Sequence, residues 1–158
     1  MIFLVIWAIA VIAAIVHVSI RDWWRQASQR DTVFLLYQLG LSFGLTGFVG
    51  FVGHALRSAE TASRIGWEPS PHFQFELGSF ELGLALAAVL GLFLRNKYYW
   101  LGVVLAPCLF LVLAGLNHVR EALDGNLAPY NVGIIAPDLI IPLTMGWLLF
   151  RVFRSAPS

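Results

Sequence analysis

Two histidines and two acids recur in this chain in a repeated order. The run Gly53-His54-Ala55-Leu56-Arg57-Ser58-Ala59-Glu60 is echoed by Asn117-His118-Val119-Arg120-Glu121, and each is followed by a Pro-containing loop and then by an acid, Glu76 or Asp138. The intervals are 22 residues from His54 to Glu76 and 20 from His118 to Asp138. Imidazoles and carboxylates drawn from several helices are the donor set that holds zinc, iron or manganese in helical bundles. Without a metal, a carboxyl in an apolar pocket with a histidine beside it exchanges protons with a bound molecule such as a quinone. His54, Glu76, His118 and Asp138 are therefore the candidate metal- or substrate-binding residues. His118 and Glu121 stand one helical turn apart and can reach one centre, although the chain has no contiguous HExxH or CxxC.

Glu81, Glu60, Glu121, Arg57 and Trp67 form the supporting set. Glu81 lies five residues beyond Glu76, about 140° round a helix, on the face of Ala85 and Ala88. An unpaired acid at mid-membrane costs about 2.5–3.5 kcal/mol, so Glu81 is expected to have a partner, to carry a proton, or both. A quinone entering between helices would meet Trp67, Phe73 or Phe75. Other charges read more plainly: Glu60 with Arg57, and Glu121 with Arg120 or Arg64, as ion pairs of an outer cap, with Glu68 and Asp124 solvated. His17 reads as an interfacial or core histidine, His72 as solvated, and Cys108 as a small packing residue.

These residues must be positioned by membrane helices. Of 158 residues, 59% are apolar and 12% charged, against about 45–50% and 25% for an ordinary soluble domain. Such a chain cannot keep its surface wet. A formal charge of +1 offers no basic face to nucleic acid, and one cysteine allows no intrachain disulfide. Apolar stretches at Ile2–Ile20, Val33–His54, Phe75–Leu94, Tyr98–His118 and from Val132 or Asp138 to Phe153 each have helix length. The fold class is an all-α polytopic membrane helical bundle, one domain over 1–158, with an N-terminal anchor helix (2–20) and a duplicated four-helix core (33–153). The first stretch lacks a basic n-region and a cleavage motif, so it reads as a retained anchor.

Short basic loops stay in the cytoplasm. Arg21, Arg25, Arg30, Arg95, Lys97, Arg151 and Arg154 fall on one side and only Arg57, Arg64 and Arg120 on the other, which predicts the N-terminus outside and the C-terminus cytoplasmic. The alternating direction of the helices then brings all four candidate ligands to the outer face. On the second helix Gly40, Gly44, Gly47 and His54 share a stripe, and small residues mark close helix approach. On the third, the same logic puts Glu76 with Gly83, Ala87 and Leu90 on the packed face. Pro137 and Pro142 bracket Asp138, so the last helix is expected to start or kink there.

The string Gly53-His54, Glu60, Ile65-Gly66-Trp67, Ser70-Pro71, Phe73-Gln74-Phe75-Glu76, Leu77-Gly78, then His118, Asn126, Ala128-Pro129 and Asp138, resembles an uncharacterised family of small bacterial inner-membrane proteins over about residues 35–150. That resemblance implies a four-helix core and a bacterial inner-membrane location, with weight on these positions. His72 departs from its pattern. In size, helix count and a glycine-rich helix, the chain is also similar to DoxX-like proteins, which are linked to quinone or thiol redox systems. The expected function is a redox-associated integral membrane protein whose outward-facing His/carboxylate site binds a metal (Fe, Zn or Mn) or a quinone. Its partners would be the lipid bilayer and either a second copy or a membrane redox partner. A small transporter for a cation or small molecule is the alternative, and a structural subunit with buried polar pairs a third. Transport requires a polar path inward, and only Gln38, Ser42 and Thr46 on the second helix offer one, so the path reads as closed.

Overall fold

A bilayer core supplies no hydrogen bonds to the backbone, so an apolar run crossing it must satisfy its own N–H and C=O groups as a helix. The computed structural model, which describes residues 2–155, follows that rule throughout. Its helices are α1 (Ile2–Ile20), α2 (Ala27–Leu56), α3 (Ser58–Ile65), α4 (Pro71–Leu94), α5 (Lys97–Leu123) and α6 (Pro129–Ser155). All but the short α3 are long and apolar enough to span a membrane. The molecule is a multi-pass, all-α integral membrane protein.

The first span matches its expected bounds, whereas the other four are longer than hydropathy suggests. α2 starts at Ala27 rather than Val33, α4 at Pro71 rather than Phe75, and α5 continues past His118 to Leu123. Helix ends beyond the lipid are set by caps and propensity, not by apolarity. The Asn96 side chain, for example, accepts from the Tyr98 and Tyr99 amides at 2.9 and 3.2 Å and starts α5. The last helix, expected from Val132 or Asp138, begins earlier than either: α6 starts at Pro129 and runs through both Pro137 and Pro142, so of a start or a kink at Asp138 the start is ruled out. These prolines free the carbonyls of Gly133 and Asp138, four residues before each, as a packed membrane helix tolerates, and the Cys108 thiol donates to the Pro142 carbonyl at 3.5 Å.

α2 packs extensively along α4 and α5 along α6, and α1 lies against α2 and α6. The α2–α4 contact depends on glycine. A Cβ at Gly47 would sit 2.9 Å from the Glu81 carbonyl and 3.0 Å from the Ala85 Cβ, so these backbones approach as only small residues allow. That contact also corrects the reading of α4. The buried stripe is Gln74, Gly78, Ala85 and Ala88, while Gly83 and Leu90 are exposed with open space beside Gly83. Glu76, expected on the packed face, is exposed and points away from the bundle. Both faces of α4 carry small residues, and the glycine stripe of α2 selects the Glu81 side.

At the end opposite the two histidines, Leu35, Leu39, Trp100, Met145 and Leu148 form the apolar core. Beyond it Asp31, almost fully buried, accepts from Arg30 Nε at 2.9 Å and Arg151 Nε at 3.2 Å. This clamp ties the start of α2 to the end of α6.

Candidate functional site

A cavity of about 710 Å³ occupies the histidine-bearing half of the bundle. That is the size of a small-molecule site, typically about 300–1,000 Å³. Each of the four core helices places one imidazole or carboxyl on its wall: His54 from α2, Glu81 from α4, His118 from α5 and Asp138 from α6. Three of these are candidates expected from the sequence. Glu76 is not among them; its place is taken by Glu81, a member of the supporting set. The rest of the lining is largely apolar, including Leu77, Phe110, Ile134 and Ile141.

Both imidazoles are held by amides from the next membrane-spanning helix. His54 Nδ1 lies 2.5 Å from Gln74 Oε1, and His118 Nδ1 lies 2.7 Å from Asn131 Oδ1. The Asn131 amide nitrogen donates to the carbonyls of Asn126 (2.8 Å) and His118 (3.3 Å). Gln74 and Asn131 are almost wholly buried. Neither was anticipated from the sequence, yet a signal was present: each precedes an acid by seven residues, Gln74 before Glu81 and Asn131 before Asp138. Seven residues are two helical turns, so each amide shares a face with its acid, which lies about 10 Å further along the axis. A glycine makes room for each carboxyl. A Cβ at Gly50 would fall 2.5 Å from Glu81 Oε2, and one at Gly115 would fall 2.9 Å from the Asp138 Cβ.

The connections cap the cavity. α3 ends at Gly66 in a left-handed conformation (φ 83°), with the Trp67 amide bonded back to the Ala62 carbonyl at 2.9 Å. A residue with a side chain resists that φ. The turn lays the Trp67 ring over His118, with centroids 5.8 Å apart and planes 10° apart. Trp67 Nε1 donates to Glu121 Oε2 at 2.8 Å, and Glu121 also accepts from Asn117 (2.8 Å) and Asn126 (3.0 Å).

Glu121 is therefore corrected on two counts. Its oxygens are occupied by an indole and two amides, so it neither joins His118 at a shared centre nor pairs with Arg120 or Arg64. Arg120 instead lies 3.8 Å from Asp124, and Arg64 bonds Glu60 at 2.7 Å and the Tyr130 hydroxyl at 2.5 Å. The Glu60–Arg57 ion pair is present as expected. His72 is exposed, and His17 stacks on Trp23 and bonds the Tyr37 hydroxyl at 3.2 Å.

Among the described residues, no three His, Cys, Asp or Glu side chains are close enough to hold one metal ion. Both histidines sit at the cavity's outer level and both acids deeper, which spreads the donors along its axis. Towards the apolar core the wall continues as Thr46 and Ser42, with the Ser42 hydroxyl donating to the fully buried Gln38 at 2.5 Å.

The model of a family of unknown function, DUF6790, matches residues 1–158. No curated protein and no solved structure matches the chain.

Proposed function

We propose, from the premise that the chain belongs to the DUF6790 family of unknown function, that this integral membrane protein binds a quinone-class molecule in the cavity shared by α2, α4, α5 and α6. One observation carries the reading: an apolar cavity large enough for a ring ligand receives one imidazole or carboxyl from each of those helices, His54, Glu81, His118 and Asp138. Apolar walls suit a ring taken up from the lipid, and the polar groups suit its oxygens. Trp67 and Phe73, on the same wall, offer faces against which the ring can stack. The role is redox-associated, with electrons exchanged by a membrane partner.

The test is a titration of the protein in lipid nanodiscs with decylubiquinone. We expect saturable binding of one molecule per chain, weakened at least tenfold by His118→Ala and by Glu81→Gln, with Glu76→Gln unchanged. Equal affinity in all four proteins would overturn the reading, as would stoichiometric transition metal in the purified wild type by elemental analysis.

The core reads as two copies of one hairpin, in a register that the sequence alone did not suggest. His54, Gln74 and Glu81 correspond to His118, Asn131 and Asp138, with equal amide-to-acid spacing and a glycine beside each acid. The first copy has the longer connection because it contains α3. The arginine-rich end is assigned to the cytoplasm and the histidine end to the outside of a bacterial inner membrane, supported by the seven basic residues at the former. A green fluorescent protein fused after Ser158 is then expected to fluoresce, whereas alkaline phosphatase at the same position is expected to be inactive. Active phosphatase would reverse the assignment.

A further inference from the structure

The end of the bundle opposite the cavity carries charges that no cavity ligand could use. Asp31 accepts from Arg30 Nε on one oxygen and from Arg151 Nε on the other, so its carboxylate is fully engaged. Beside it an open pocket of about 390 Å³ is lined by Ala27, Asp31, Arg151, Arg154 and Ser155. Among the described residues Arg154 is exposed and pairs with no acid. Three arginines therefore face one aspartate, and the excess positive charge lies at the edge of the membrane, where it attracts an anion.

The surroundings say which kind of anion. Asp31 holds the Arg151 guanidinium by Nε, and among the described residues its two terminal amino groups make no hydrogen bond. The planar fork of a guanidinium matches two oxygens of a phosphate. Both arginines also stand one helical turn beyond an aromatic ring: Arg151 Cζ lies 5.1 Å from the centroid of Trp147, and Arg154 Cζ lies 5.5 Å from that of Phe150. Those rings are exposed, and Leu143, one turn further into the membrane, continues the same apolar strip. A free anion would leave that strip unused. A molecule with a phosphate head and hydrocarbon tails covers both parts at once.

We propose that this pocket binds an anionic phospholipid, with the phosphodiester between Arg151 and Arg154 and the acyl chains along Leu143, Trp147 and Phe150. The site is independent of the cavity and of the ligand bound there. Net charge sets its selectivity: a zwitterionic headgroup brings its own cation, which the surplus guanidiniums repel.

The test is native mass spectrometry of the full chain in mild detergent, titrated with dioleoyl phosphatidylglycerol or dioleoyl phosphatidylcholine. We expect one tightly retained phosphatidylglycerol per chain, preferred over phosphatidylcholine by roughly tenfold. Arg154→Gln, which breaks no ion pair among the described residues, is expected to bring that preference close to one. Arg151→Lys keeps the charge and loses the fork, and is expected to weaken phosphatidylglycerol binding severalfold. Arg95→Gln makes the same charge change at the same end of the bundle, away from the pocket, and is expected to bind like wild type. Equal retention of the two lipids by wild type, or an equal loss of preference in Arg95→Gln and Arg154→Gln, would overturn the proposal. A large excess of inorganic phosphate is expected to leave the lipid in place; displacement would make this a site for free phosphate and overturn the lipid assignment.

Discussion

Replacing Gly50 by leucine is expected to abolish ligand binding while leaving the protein folded. A Cβ at this position would lie 2.5 Å from Glu81 Oε2 and 2.9 Å from Oε1, inside contact distance. These are the far atoms of a rotatable side chain, so the carboxyl moves and the helices need not separate. It moves out of the position where it meets ligand, and the leucine fills part of the volume it leaves. We expect affinity for decylubiquinone to fall on the order of 100-fold, since a hydrogen bond with the carboxyl is lost and the seat of the ring is filled. Overpacking is expected to cost about 1–3 kcal/mol of stability. Gly83→Leu is the control: Gly83 is exposed, a Cβ there would meet nothing within 4 Å, and neither affinity nor thermal midpoint should change. If Gly50→Leu binds like wild type, Glu81 does not face the ligand.

Asn131→Leu is expected to produce the largest loss of stability among the cavity substitutions. Asn131 is completely buried and joins three parts of the network: His118 Nδ1 at 2.7 Å, the Asn126 carbonyl at 2.8 Å and the His118 carbonyl at 3.3 Å. Leucine nearly matches its shape but bonds none of them. Each buried polar group left unpaired costs about 1–3 kcal/mol, so a total of about 3 kcal/mol is expected. The damage should reach the opposite connection, because Asn126 also donates to the Ile65 carbonyl at 2.9 Å and braces the turn that carries Trp67. The check is the thermal midpoint in detergent, followed by tryptophan fluorescence, beside Asn131→Asp, which keeps the acceptor and loses the two donors. A loss under about 1 kcal/mol would show that the amide does not hold the hairpin together.

The two acids of α4 show where reading the chain as a string runs out. Glu76 and Glu81 each share a helical stripe with small residues, Gly83 and Ala87 for one, Ala85 and Ala88 for the other. Periodicity alone cannot choose between such stripes. The choice was made by another helix: α2 brings Gly47 and Gly50 against the Glu81 side, and Glu76 is left facing outward. The histidines escaped this ambiguity because each stripe had one small-residue face, Gly40, Gly44 and Gly47 below His54 and Ala114 and Gly115 below His118.

Apolar run length by itself determined that this chain is a five-span helical bundle, because a helix crossing lipid answers only to its own backbone and the 30 Å or so of hydrocarbon around it. The alternating direction of consecutive spans likewise determined that His54 and His118 share one end. What only the tertiary structure decided is which side chains meet: Glu81 instead of Glu76, Gln74 and Asn131 on the imidazoles, and Glu121 on Trp67 instead of beside His118. Those outcomes depend on the rotation of each helix about its axis. Rotation is set by contacts between residues far apart in the chain, and no local pattern records it.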